Sequence, residues 1–75
     1  MNYIEIDHSK VDGYDKMSRK AKEIFNAVYK KHNSSIGMDS KGQWVPTKVK
    51  EHSSLLKVHF NNREWLHYSY NYTWY

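Results

Sequence analysis

Five histidines, His8, His32, His52, His59 and His67, are the side chains most able to do chemistry in a chain that has no cysteine. Metal centres need ligands at short fixed spacings, such as two histidines on one helical face within HExxH or paired Cys–His sets. Neither spacing occurs. GxGxxG, the phosphate-cradling GxxxxGK[ST] and the GxSxG elbow are missing as well. The sequence therefore predicts no metal site, no cofactor and no enzyme. One minor alternative is a metal-independent ribonuclease, with His59 and His67 exchanging protons and Lys57 steadying a phosphate. A surface histidine is far more often solvated than catalytic.

A stronger pattern joins tryptophan to lysine. Trp44, Lys48, Lys50, Lys57, His59, Trp65 and His67 fall at alternating positions in a stretch rich in β-branched and aromatic residues. Two indoles among three lysines and two histidines suit single-stranded nucleic acid, where rings stack on bases and ammonium groups neutralise phosphates. The same residues on a wet sheet face would mean no more than solvation. Aromatic residues are also enriched at protein interfaces, so a partner protein or a second copy is the competing reading. Lys16, Arg19, Lys20 and Lys30 form a second basic face.

Positioning that constellation requires strands and a helix to cover them. Tyr14, Met17, Ala21, Ile24 and Val28 recur at spacings of three and four, with Phe25 widening the stripe, which predicts an amphipathic helix over 13–33. Asp12 is the expected cap, and Asn33 and Gly37 the residues expected to tolerate a left-handed helix end. The Asp39-Ser40-Lys41-Gly42 cluster is a turn, and residues 43–75 read as strands. Pro46 cannot donate to a ladder, which puts the first strand at an edge or starts it after the proline.

Asn61-Asn62-Arg63 reads as a three-residue hairpin loop. That loop sets Phe60 opposite Glu64, Val58 opposite Leu66 and Leu56 opposite Tyr68. One face then carries Leu56, Val58, Phe60, Leu66, Tyr68, Tyr70, Tyr72 and Trp74, with Val45 and Val49 also turned inward. Ile24, Phe25, Val58 and Leu66 should be almost fully buried. Residues 2–6 read as a short strand or an extended arm. The expected fold class is α+β, one helix packed on a three-stranded antiparallel meander within a single domain spanning residues 1–75.

Seventy-five residues bury little surface, so the core must be dense, and an aromatic content of 16% is one way to make it so. Twelve Lys and Arg against eight Asp and Glu give a net charge of +4, which favours polyanionic partners. No run of about 18 apolar residues exists, and the N-terminus lacks the pattern of a secretion signal, so no membrane partner is expected. A cytoplasmic location follows as the expectation. The triplets Asn33-Ser34-Ser35 and Asn71-Tyr72-Thr73 are then not read as glycosylation sites. The function expected is a small basic binding module for nucleic acid, single-stranded by preference. The alternative is a protein-interaction module or inhibitor, of the kind mobile elements encode, working through the same aromatic surface or as a homodimer.

Overall fold

In the computed structural model, which describes residues 3–75, one helix lies across one face of a three-stranded antiparallel sheet. Helix α1 spans Arg19–Ser34; strands β1 (Pro46–Glu51), β2 (Leu55–Phe60) and β3 (Trp65–Ser69) follow in the spatial order β1-β2-β3. The α+β meander expected from the sequence is the fold observed.

The helix begins six residues later than its apolar spacing predicts. Gly13 takes a φ of 88°, and a Cβ added there would collide with the carbonyl oxygen of Val49. Only glycine lets the chain pass that close to β1. Residues Tyr14–Lys16 form a single 3-10 turn, and Ser18, not Asp12, caps α1. The Ser18 hydroxyl accepts from the Ala21 N–H at 3.2 Å. The Ser18 N–H and hydroxyl in turn donate to the two carboxylate oxygens of Glu51, at 2.9 and 2.8 Å. The cap thus ties the start of α1 to the end of β1. Tyr14 and Met17 keep the contacts that their spacing implied, but from outside the helix.

Ala21, Ile24, Phe25, Val28, Tyr29, His32 and Asn33 make the buried stripe of α1. They pack over Val49, Leu56, Val58, Phe60 and Tyr68, and each large apolar side chain removed from water stabilises by about 1.5–3 kcal/mol. Leu66, expected to be almost fully buried, is only half-buried and packs against the margin of the core. At the far end Asn33 is fully buried and acts as a staple instead of a left-handed cap. Its Oδ1 accepts from the Ile4 N–H at 2.9 Å, and its Nδ2 donates to the Lys41 carbonyl at 3.3 Å. Ser35 closes the helix in right-handed conformation.

The β2–β3 register is the one that the three-residue loop sets: Leu56 faces Tyr68, Val58 faces Leu66, and Phe60 N–H donates to the Glu64 carbonyl at 2.9 Å. The positive φ of the loop falls on Arg63 (71°) and not on an asparagine. Two features depart from simple alternation. The β1–β2 register shifts between Pro46 and Lys48, a bulge that seats Pro46 inward opposite Phe60. After Ser69 the chain turns, with Tyr72 at a φ of 66°, and comes back along β3. Trp74 bridges Tyr68 there, and His67 and Tyr75 exchange both backbone hydrogen bonds at 2.9 and 3.0 Å. Residues 70–75 therefore do not prolong β3.

Residues 3–6 form no strand; Asn2 lies outside the described residues. Tyr3 packs edge-on against Tyr29, whose hydroxyl donates to the Ile4 carbonyl, so this arm lies on α1. The segment that does join the sheet is Asp12. Its N–H donates to the Thr47 carbonyl at 3.0 Å, and its carbonyl accepts from Val49 N–H at 2.8 Å, as a single parallel bridge on the free edge of β1.

Candidate nucleic-acid interface

Strand pairing arranges the outer sheet face in two rows. Lys48, His59 and Trp65 stand side by side in the first; Lys50, Lys57, His67 and Tyr75 stand side by side in the second. Alternation forces this result once Val49, Leu56, Val58 and Tyr68 are committed to the core. The face thus carries three lysines, two histidines and two exposed rings. Trp65 is 48% exposed and Tyr75 64%.

Each ring is seated on a histidine. Trp65 lies 4.7 Å from His59 at 58°, and Tyr75 stacks on His67 at 4.9 Å and 23°. The Lys57 ammonium sits over the Trp65 ring, 5.6 Å from its centre, a cation–π contact that holds charge beside an open π face. His59 is itself held. The Thr47 hydroxyl lies 2.9 Å from the His59 Nδ1 and 3.3 Å from its carbonyl, which fixes the ring and leaves the Nε2 side without a hydrogen bond among the described residues. Rings at fixed tilt with adjacent ammonium groups can stack on bases and neutralise phosphates at once.

Six of the seven residues that the alternation assigned to this face are on it; Trp44 is not. It is half-buried on the helix side, with ring centres 5.2 Å from Phe60 and 5.4 Å from His32. The bulge at Thr47 turns Pro46 inward, and Trp44 lies outside β1 altogether, closing the 3-10 turn Lys41–Gln43, where strand alternation does not apply. The platform of two tryptophans expected from the sequence does not form. Pro46 was the available signal, since a proline inside a strand marks a bulge or an edge.

Tyr75 takes the place of that second ring, and the sequence reading missed it. Its cue is the Asn71-centred turn. Ser69 and Thr73 hydroxyls both donate to Asn71 Oδ1, at 2.5 and 2.8 Å, and fold the C-terminal residues back onto β3.

The second basic group is split. Arg19, Lys20 and Lys30 are exposed on α1, whereas Lys16 is exposed on the 3-10 turn before it. The Lys30 ammonium lies 5.7 Å from the centre of the Tyr3 ring.

The histidines are of two kinds. His32 is 4% exposed and is surrounded by the rings of Trp44, Phe60, Tyr68 and Trp74 at 5.3–5.9 Å. Its Nδ1 lies 3.0 Å from the Tyr68 hydroxyl. Burial lowers its pKa from 6.5 to about 4, which keeps the ring neutral near pH 7. His32 is a core residue. Among the described residues, no group of three or more His, Asp or Glu side chains could hold a metal ion. No known protein family, curated protein or solved structure matches this chain.

Proposed function

We propose that the chain is a small basic binding module whose outer sheet face takes single-stranded nucleic acid. The observation that carries this reading is the exposed Trp65 ring, seated on His59 and covered on one side by the Lys57 ammonium. Lys48 and Lys50 border it on β1, and Tyr75 offers a second ring across β3. Bases stack on the rings, and the lysines follow the phosphates.

Two observations weigh against a second copy as the occupant. A face-to-face homodimer would bring Lys48, Lys50 and Lys57 against their own copies, and like charges brought together cost free energy. Strand addition is hindered as well. Asp12 occupies part of the β1 edge, and Trp74 and Tyr75 occupy the β3 edge.

Tryptophan fluorescence of the wild type, compared with that of Trp65→Ala and titrated with single- and double-stranded oligonucleotides at two salt concentrations, tests the proposal. Trp65→Ala, followed by anisotropy of a labelled strand, should weaken binding by about 1–3 kcal/mol at either salt concentration. Lys57→Ala should instead lower the slope of log affinity against log salt by about 0.7. A chain that binds no oligonucleotide, yet doubles its mass in solution, would be a protein-interaction module.

A further inference from the structure

Beside the outer face, at the β1 edge, an open groove of about 350 Å³ is lined by Gly13, Lys16, Met17, Val49, Lys50 and Glu51. Gly13 lies hard against the Val49 carbonyl, and the Asp12 hydrogen bonds to Thr47 and Val49, at 3.0 and 2.8 Å, fix the two segments together. Lys50 comes from an outward position of β1, and Lys16 comes from the 3-10 turn that Gly13 allows. Arg19 and Lys20 stand exposed just beyond, in the first turn of α1.

One carboxylate lies in the wall. Both oxygens of Glu51 are engaged by Ser18, and those hydrogen bonds hold its carboxyl below the usual carboxylate range. Glu51 is therefore committed to the start of α1 and stays ionised. An anion in the groove must sit on the lysine side.

We propose that this groove carries the phosphodiester backbone of the same single strand off the sheet, from Lys50 past Lys16 to Arg19 and Lys20. The inference rests on the outer-face reading, with Lys50 common to both surfaces. Charge and continuity select the occupant. The groove has cations on both walls and opens beside a face with exposed rings, which a phosphodiester chain bearing bases matches along its whole length. It also gives the separate basic cluster at the start of α1 a use that a three-strand face alone does not provide.

The test compares oligothymidylates of about four and about twelve nucleotides, the lower length being near the smallest site that a single-strand-binding domain covers. The Lys16→Gln/Lys20→Gln double variant should lower the salt slope by about 1.4 on the long strand, since each lost phosphate contact removes about 0.7. It should leave the slope on the short strand unchanged. Both lysines are exposed, and an unaltered unfolding midpoint serves as the control for folding. An unchanged slope on the long strand, with Lys57→Gln still lowering the slope on both, would remove the groove from the path and leave the outer face standing. If the wild type binds neither strand, groove and face fall together. Displacement of the long strand by an acidic peptide of equal charge at equal concentration would assign the groove to protein and overturn the inference.

Discussion

The two faces of the sheet are built from the same strands and share almost no chemistry. Inward, Val49, Leu56, Val58, Phe60 and Tyr68 are sealed under α1, and the one imidazole among them, His32, is kept neutral by burial. Outward, Lys48, Lys50, Lys57, His59 and His67 stand beside two open rings. Tryptophan shows the division best. Trp44 and Trp74 pack on His32 and serve the core, whereas Trp65 lies on the far side, its ring open to solvent. The same residue type is structural or available according to where the chain places it: Trp65 at an outward position of β3, Trp44 and Trp74 on segments that flank the strands.

The largest test of that division is truncation on the inner side. Phe25 is fully buried against Tyr68 and Tyr14, and Phe25→Ala should cost about 3–5 kcal/mol. That is most of the stability of a domain this small. Trp65→Ala should move the urea midpoint little, because its ring is already half in water. Equal losses from the two variants would mean that the faces are not separate.

Acid should separate the histidines in the same way. His32 binds a proton at about pH 4 in the folded chain and at about 6.5 when unfolded. Between those values the unfolded chain binds more protons, so stability falls as pH drops through that window and levels off below it. The total loss is about 3 kcal/mol, at roughly 1.4 kcal/mol per pH unit. The groups packed on His32 are aromatic rings, and the Tyr68 hydroxyl beside it is pushed upward by its own burial, so it supplies no charge in this range. His32→Phe should flatten the acid limb of the stability curve, whereas His59→Gln and His67→Gln should leave that limb in place. A limb that persists in His32→Phe would place the acid sensitivity elsewhere.

How much of this was legible follows from where alternation holds. Period two runs unbroken from Leu55 to Ser69, and the loop length sets the β2–β3 register, so Lys57, His59, Trp65 and His67 could be placed without coordinates. It breaks at the Thr47 bulge and at the Tyr70–Thr73 turn, and the sequence reading errs on both sides of that stretch, losing Trp44 and missing Tyr75. The helix stripe was legible from Ala21 onward. Its false start at Tyr14 has a physical cause: a 3-10 turn spaces its side chains three apart, which mimics the first turn of an α-helix.

The two asparagine staples give a smaller, sharper comparison. Buried Asn33 holds the Ile4 N–H and the Lys41 carbonyl, so Asn33→Ala should cost about 1–3 kcal/mol by leaving part-buried backbone groups unpaired. Asn61 makes the corresponding bonds at the surface, accepting from Val45 N–H at 3.2 Å and donating to the Gly42 carbonyl at 2.7 Å. Water can replace it there, and Asn61→Ala should cost less than Asn33→Ala in chemical denaturation. The reverse order would show that the Gly42–Val45 segment depends on its surface bonds more than α1 depends on its buried ones.

The smallest effect should come from the loop that sets the register. Arg63 carries a φ of 71°, a left-handed conformation that costs an L-residue about 1–2 kcal/mol. Glycine removes that strain, but its freer unfolded chain returns about 0.5–1 kcal/mol of the gain. Arg63→Gly should therefore raise the unfolding midpoint by a stabilisation of under about 1 kcal/mol. It should leave Trp65 fluorescence unchanged, because the loop bonds from Phe60 to Arg63 and Glu64 are made by backbone. A loss of stability would mean that the Arg63 side chain holds the hairpin, and the outer rows would then depend on a contact at their own margin.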